Sequence, residues 1–403
     1  MPLGSLIVRH GRPFVLLGLV FSGVLAGCCT EVVSGTQFDS TGSSSTGTTT
    51  GSSSGGVSST GSTTGIFDGG PNGTLWIGGS GALDAATLAG SGEVEFDQTC
   101  PFPGPSDGIE GPEAIDGLGD LWVEDPNDSM LYMWTPEQLA ASCASGAPTL
   151  TIQLVNGDLP LDRLTALAFD GSGNLWASTN EPEILGFSAS DLLADGTIRP
   201  TWILEGSGAC LTQPCLTTGL AFDRNGYLWI GNDESVIAYS PGSLASLPQV
   251  PAIATRRADL YLTTGCYAQQ ADSGQGCEDF GYSFNYVAFD AQGDLWVSGS
   301  QNGFGFSSQI QEFTPAQLQA LNGDSEPSPT LIITKGSGSN TVIWKSLAFD
   351  ANGDLWTGAS QANPNLWGIS VAGTRPDINL TVPGDPSVSL AFSPIPAGLP
   401  IQP

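Results

Sequence analysis

A ten-residue phrase recurs about every 55 residues along this chain and constrains its fold more than any other feature. The phrase is Leu-Ala-Phe-Asp-x-x-Gly-Asn/Asp-Leu-Trp. Its copies span 167–176, 220–229, 287–296 and 347–356, and a shorter version spans 114–122. Self-similarity at a fixed period indicates a repeat architecture in which each copy forms one supersecondary unit.

Each copy has the pattern of a β-hairpin. Two short apolar runs flank Asp-x-x-Gly, in which the aspartate can cap a turn and the glycine can adopt a positive φ. We therefore interpret the aspartates as turn residues rather than as a ring of metal ligands; they are Asp116, Asp170, Asp223, Asp290 and Asp350. Each copy is followed by a third strand, a short Pro-containing segment and a fourth strand. Residues 149–154 and 330–334 are examples of the fourth strand. Four strands with two apolar faces predict a blade of a β-propeller.

Six tryptophans count the blades: Trp76, Trp122, Trp176, Trp229, Trp296 and Trp356. The unit at Thr74 lacks its first strand, whereas 389–393 is a first strand without a tryptophan strand. An open solenoid, the alternative, has no reason to divide one repeat between two ends. The sequence therefore predicts an all-β, six-bladed β-propeller of four-stranded antiparallel blades, in which N- and C-terminal strands share one blade. Over 74–394 the repeat resembles NHL-type, streptogramin-lyase-like and gluconolactonase-like propellers.

The N-terminal residues have the composition of an export signal and a tether. Residues 1–27 combine a basic start with an apolar run too short to span a bilayer. Leu25-Ala-Gly-Cys28 resembles the lipobox of bacterial lipoproteins, which implies that Cys28 carries the acyl chains, palmitate included; an ordinary secretory signal is the alternative. Residues 28–66, rich in Ser, Thr and Gly, predict a disordered tether, and 67–403 the propeller. In a Gram-negative source, Cys29 after Cys28 predicts the outer membrane.

Charge and histidine content restrict the function. The formal net charge is −30, and removal of Arg9 and Arg12 with the signal leaves 8 basic against 40 acidic residues, or −32. Such a field repels nucleic acid and favours a soluble monomer. The only histidine, His10, leaves with the signal. The streptogramin-lyase resemblance implies a catalytic histidine, and the mature chain has none.

Six cysteines beyond Cys28 and Cys29 predict three disulfides in an exported domain. Closeness in sequence favours Cys210–Cys215 and Cys266–Cys277, which leaves Cys100–Cys143, although fifteen pairings are formally possible. A metal cluster is the alternative, but no Cys-x-x-Cys pair supports it.

Polar residues before the first strand and after the tryptophan strand of each repeat predict a ligand-binding rim at the mouth of a central channel. The rim residues chosen are Glu113, Glu124, Asn180, Asn232, Asp233 and Lys345. Lys345 could bind an anion, but an ion pair with a neighbouring aspartate is the favoured interpretation. The segment 251–284, with three tyrosines and two cysteines, is interpreted as an insertion that is either a recognition loop or a connection.

The stretch from Glu110 to Asp125 begins with Glu110-Gly-Pro. It resembles the segment in which gluconolactonase-like enzymes place a metal-binding glutamate. The resemblance implies calcium held by Glu110 and Asn285, with no clear counterpart of the family's catalytic aspartate. Two functions follow. The favoured one is a non-catalytic envelope lipoprotein that binds a protein, glycan or small ligand through its rim and the 251–284 segment. The alternative is a calcium-dependent lactonase-like hydrolase.

Overall fold

A computed structural model describes the chain over 73–78, 81–100, 111–143, 146–157, 159–161, 163–181, 183–206, 217–232, 235–263, 282–301, 308–321, 324–325, 327–334, 343–360, 365–373, 377–383 and 389–393. The predicted signal peptide, Cys28 and the tether lie outside these residues. Among the described residues no helix is both long and apolar enough to cross a membrane.

In the described residues six sheets, mostly of four antiparallel strands, make up the propeller, which confirms the predicted fold class; blade 1 has three such strands. Blade 1 contains Leu390–Ser393, Thr74–Ile77 and Gly81–Leu83; blade 2 contains Glu113–Ile115, Leu121–Asp125, Met130–Trp134 and Leu150–Asn156; blade 3 contains Leu164–Phe169, Leu175–Thr179, Glu183–Phe187 and Trp202–Gly206. Blade 4 contains Thr217–Phe222, Leu228–Asn232, Ser235–Tyr239 and Leu260–Thr263; blade 5 contains Tyr282–Phe289, Leu295–Gln301, Ser308–Phe313 and Leu331–Thr334; blade 6 contains Ile343–Phe349, Leu355–Ser360, Asn365–Ile369 and Ile378–Thr381.

Blade 1 closes the ring as predicted. Its first strand comes from the C-terminal part of the chain and pairs antiparallel with Thr74–Ile77, so that Trp76 lies opposite Ala391. The same pairing of tryptophan with alanine occurs within the continuous hairpins, for example between Trp176 and Ala168. Two distant segments therefore reproduce the register of one repeat.

The hairpin aspartates form the turns, as expected, and they also hold the tryptophans. In blade 3, Asp170 Oδ1 accepts hydrogen bonds from the backbone N–H groups of Ser172 and Asn174 at 2.8 and 3.0 Å. Its Oδ2 accepts from Trp176 Nε1 at 3.0 Å. Gly173 has a φ of +77°, which only glycine adopts without strain. The pattern repeats in the other continuous hairpins, where each indole donates to its turn aspartate at 3.0–3.2 Å.

The core is divided into six clusters of buried side chains, one between each pair of neighbouring blades. The tryptophan of one blade packs against the repeat phenylalanine of the next blade, as Trp176 does against Phe222 with ring centroids 6.4 Å apart. Equivalent pairs have centroids 5.6–6.3 Å apart. The two aromatic residues of the repeat therefore occur together because they join adjacent blades.

Short parallel strands cover the outer edges of four blades. Gly196–Ile198, Ala254–Arg256, Asp324–Ser325 and Gly92–Glu93 pair with the outer strands of blades 2, 3, 4 and 6, respectively. Each comes from the connection that follows the third strand of the next blade. We call these strands clasps. They protect edges that would otherwise offer unpaired backbone groups.

A disulfide takes the place of a clasp between blades 1 and 2. Cys100 follows Gln98, which bridges to Ala82 at the outer edge of blade 1, and Cys143 lies in the connection of blade 2. The two residues are bonded, with Cα atoms 5.0 Å apart, which confirms the predicted Cys100–Cys143 pair. The predicted pairs Cys210–Cys215 and Cys266–Cys277 lie outside the described residues.

The connections after the third strands contain single helical turns. Three begin with proline and are α-helical: Pro136–Ala140, Pro241–Ala245 and Pro315–Gln319. Two have no proline: Ala85–Leu88 is α-helical and Ala189–Leu193 is a 3₁₀ helix. Proline starts three of them, since its missing N–H has no partner in a first turn.

The interpretation of 251–284 as an insertion is wrong over much of its length. It contains the clasp Ala254–Arg256, the fourth strand of blade 4 and the beginning of blade 5. Only 264–281 is left as a candidate loop, and it lies outside the described residues.

Candidate functional site

A narrow channel runs along the axis of the ring. Residues in or next to the first strand of every blade line it. They are 112–113, 165–167, 218–220, 286–287, 346–347 and 389–390. Its cavity volume is about 60 Å³. Since one water needs at least roughly 10–15 Å³ of such volume, the channel has room for a few waters. A small-molecule site has a typical volume of about 300–1,000 Å³, so a ligand of that size would have to bind outside the channel.

Four blades have a β-bulge near the start of the first strand, at the end of the blade where the predicted rim residue Lys345 lies. The register shifts between Trp344 and Leu347 in blade 6, and equivalent shifts occur in blades 3, 4 and 5. The extra residues at these bulges are Thr165, Thr218 and Asn285, with Lys345 in blade 6. A bulge changes the direction of the side chain it carries. The rim positions are therefore set by backbone register, which the repeat motif does not encode.

The bulge residue Thr165 joins two blades. Thr165 Oγ1 lies 2.8 Å from Ser178 Oγ and donates to the carbonyl of Thr217 in blade 4 at 2.5 Å. Thr217 Oγ1 in turn donates to the carbonyl of Thr179 at 3.3 Å. These hydroxyl groups stabilise the contact between blades 3 and 4.

Glu113 is the predicted rim residue that reaches the channel. It pairs with Val123, and in this register it takes the position of Leu167 in blade 3. The other blades also have leucine or valine there. Its backbone N–H donates to Ser389 Oγ at 2.9 Å, which joins blades 2 and 1. Blade 2 therefore introduces a buried carboxyl group where the other blades have aliphatic side chains, a departure visible when the copies are aligned.

Glu124 lies between blades rather than on the channel. It is 1% exposed and occupies a position that is serine or glycine in the other blades. Burial raises the pKa of Glu124 to about 8; a hydrogen bond from the backbone of Leu164 opposes the shift, Asp125 adds to it, and Arg163 opposes it. Its Oε2 has no hydrogen-bond partner in the described part of the chain. Near neutral pH this carboxyl group is protonated in the folded protein.

Asn180, Asn232 and Lys345 lie at the same end of their blades, where the second strand ends or the first strand begins. Asn232 is buried and its Oδ1 accepts from the N–H of Ser235 at 2.8 Å, which closes the turn between the second and third strands. Asn180 is exposed. Lys345 is partly exposed, and within the described residues no ion pair was found for it. Asp233 lies outside those residues.

The described residues alone do not assemble the calcium site that the gluconolactonase resemblance implies. No group of three His, Cys, Asp or Glu side chains within the described ranges could hold a metal ion. The turn aspartates are at the wrong end of the first strand: Asp290 follows Asn285 by five residues, roughly 16 Å along a strand. Glu110 lies outside the described residues, as does the side chain of Asn285.

The solved structures similar to this chain include streptogramin-lyase-type propellers and a bacterial extracellular propeller domain. Virginiamycin B lyase from Staphylococcus aureus is 11% identical with a TM-score of 0.40, and covers 69% of this chain and 71% of its own. A streptogramin B lyase is 10% identical with a TM-score of 0.40 over 72% and 73%. The extracellular domain assigned to a one-component system of B. thetaiotaomicron is 16% identical with a TM-score of 0.40 over 68% and 31%. No protein-family model and no curated protein sequence matches this chain.

Proposed function

We propose that this protein is a non-catalytic binding module carried at the bacterial cell envelope. The observation that supports it best is the channel, whose volume of about 60 Å³ between the described residues is well below the roughly 300–1,000 Å³ of a small-molecule site. The clasps and inter-blade aromatic pairs make a rigid scaffold, and loops on a rigid scaffold commonly carry binding. Binding then takes place on the rim, through exposed side chains such as Asn180, and through residues 264–281.

Attachment to the envelope rests on the N-terminal sequence. Leu25-Ala-Gly-Cys28 supports lipidation of Cys28, and Cys29 supports sorting to an outer membrane in a Gram-negative source. The serine- and threonine-rich composition after Cys28 supports the proposed tether. Metabolic labelling with an alkyne fatty acid tests the anchor. Label should enter the parent protein and be absent from Cys28→Ser, and equal labelling of both would refute the assignment.

Photo-crosslinking in intact cells tests the rim. A crosslinking amino acid at Asn180 faces the channel-mouth end of the blades, whereas the same amino acid at Leu118, an 81% exposed turn residue, faces the opposite end. We expect a discrete crosslinked species from position 180 that position 118 does not produce. The same products from both positions would contradict rim binding.

The hydrolase alternative makes a separate prediction. A calcium site at Glu110 would raise the melting temperature of the parent in millimolar calcium by mass action, and Glu110→Gln would lose that increase. Lactone hydrolysis that depends on calcium and on Glu110 would replace the binding-module proposal. Absence of both effects would leave it in place.

A further inference from the structure

A second cavity, of about 650 Å³, lies between blades 4 and 5. It is at the turn end of the blades, opposite the rim. Its walls are the Asp-x-x-Gly turns of the two blades, the helix Pro315–Gln319 and the outer strand of blade 4. The volume is within the range of about 300–1,000 Å³ for small-molecule sites, and it is about ten times that of the channel.

The blade 4 turn that lines this cavity departs from every other copy of the repeat. The residue before Leu-Trp is aspartate or asparagine in blades 2, 3, 5 and 6, but it is Tyr227 in blade 4. The residue after the turn aspartate is glycine or alanine in those blades, but it is Arg224 here. Both unusual residues line the cavity. The change therefore coincides with the place where the blades leave space.

The difference changes what this position contacts. In blade 3, Asn174 Oδ1 accepts from the N–H of Ala189 and so links the turn to the helix of its own blade at 3.0 Å. Tyr227 instead packs its half-buried ring against the core cluster between blades 4 and 5. Its hydroxyl group makes no hydrogen bond within the described residues. Blade 4 thus presents an aromatic ring and a phenol where blade 3 uses an amide internally.

The charged groups at the cavity are already engaged. Asp223 Oδ1 accepts from the N–H groups of Asn225 and Tyr227 at 2.8 and 2.9 Å, and its Oδ2 accepts from Trp229 Nε1 at 3.2 Å. Arg224 donates through a guanidinium nitrogen to the carbonyl of Ala291 in blade 5. Its positive charge also opposes the rise in the pKa of Asp294 that burial causes.

Three neutral polar groups line the cavity beside Asp223 and Arg224. The side-chain amides of Asn225, Gln292 and Gln319 line the cavity, and none of them is hydrogen-bonded within the described part of the chain. Each amide offers both donors and an acceptor. Apolar groups from Leu260 and Leu318 complete the walls.

We propose that the cavity between blades 4 and 5 binds a neutral pyranose sugar. A pyranose has an apolar C–H face that packs on an aromatic ring such as Tyr227, and its hydroxyl groups both donate and accept, as the three amides do. Arg224 donates to the carbonyl of Ala291 across the blade junction, and the groups that we expect to contact the sugar are neutral. This site is additional to rim binding and does not depend on it.

Saturation-transfer NMR with the full-length protein tests this site. The probes are neutral methyl pyranosides of glucose, galactose, mannose and N-acetylglucosamine, with affinity expected on the order of millimolar. Tyr227→Asn, which restores the residue type of the other blades, should weaken binding about tenfold. Tyr227→Phe keeps the ring, and Gln319→Ala removes one amide; each should weaken binding about threefold. Leu118→Ala, on the exposed turn of blade 2, is the matched control and should bind as the parent does.

The outcomes separate this proposal from the general binding role. Absence of transfer to every pyranoside, or equal transfer in Tyr227→Asn and the parent, would overturn the sugar site and leave rim binding untouched. Preference for sialic acid over the neutral pyranosides, with strong weakening by salt, would also overturn it, because recognition would then depend on the charge of Arg224.

Discussion

Replacing Glu124 by glutamine should remove a large part of the pH dependence of stability. The pKa of this carboxyl group is 4.5 in its reference state and rises to about 8 in the folded protein, chiefly through burial. Because the folded-state pKa is the higher one, the folded protein binds a proton that the unfolded chain releases. Stability from this group is complete below pH 4.5 and is lost as the pH rises towards 8.

The magnitude follows from the size of the shift. Each pKa unit corresponds to about 1.4 kcal/mol, so Glu124 lowers the free energy of unfolding by about 3 kcal/mol at pH 7 and by about 5 kcal/mol above pH 9, relative to its protonated form. Glutamine has nearly the same shape and cannot ionise, and its oxygen can accept the same N–H of Leu164. The variant should therefore match the parent near pH 5 and exceed it by several kcal/mol near pH 9.

Urea unfolding followed by tryptophan fluorescence measures this difference across the pH range. Glu95→Gln is the control, since Glu95 is exposed, and its curve should follow that of the parent at every pH. A constant difference between Glu124→Gln and the parent from pH 5 to pH 9 would refute the reasoning. The position would then be affected by packing alone.

Three further predictions concern the joints of the ring. Cys143→Ser should lower the free energy of unfolding by about 4 kcal/mol, since the bond closes a loop with a sequence separation of 43. The double variant with Cys100→Ser should lose no more stability than the single variant. An additive loss in urea titrations would contradict this. Asp170→Ala removes the acceptor of two backbone N–H groups and of the Trp176 indole, and should cost about 2–4 kcal/mol; an indole N–H resonance of Trp176 that does not shift in NMR spectra would argue against the contact. Phe222→Ala should cost about 3–5 kcal/mol by leaving a cavity beside Trp176, and calorimetry showing an unchanged melting temperature would mean that the two blades are not coupled through this pair.

The repeat sequence predicted the features that depend on contacts within one hairpin. Asp170 and Gly173 lie within one turn, so their spacing alone indicates a hairpin, and the tryptophans count the blades because each hairpin carries one. The divided repeat also predicted ring closure, since Trp76 lacks a preceding first strand and the C-terminal strand lacks a tryptophan.

The repeat sequence did not predict the contacts between blades. Trp176 and Phe222 belong to different repeats, and nothing in either copy states which neighbour it meets. The clasps are two or three residues long and have no periodic pattern, so Ala254–Arg256 was assigned to an insertion. Bulges depend on the hydrogen-bond partners of a strand, which a single strand sequence does not specify.

For the candidate sites, one signal was present in the sequence. Glu113, Glu124 and Tyr227 each differ from the residue type that the other copies share. The structural effect of each difference is visible only from the contacts between neighbouring blades. The first two were chosen for their charge. Tyr227 is uncharged and lies at the turn end of its blade, opposite the predicted rim, so neither charge nor rim position selects it.

The pairing of Thr74–Ile77 with Leu390–Ser393 has a consequence for biogenesis. The strand that completes blade 1 is synthesised after the other blades, so a nascent chain keeps one hydrogen-bonding edge of that blade vacant until Leu390–Ser393 has emerged. Prematurely terminated chains would retain that vacancy and be prone to self-association.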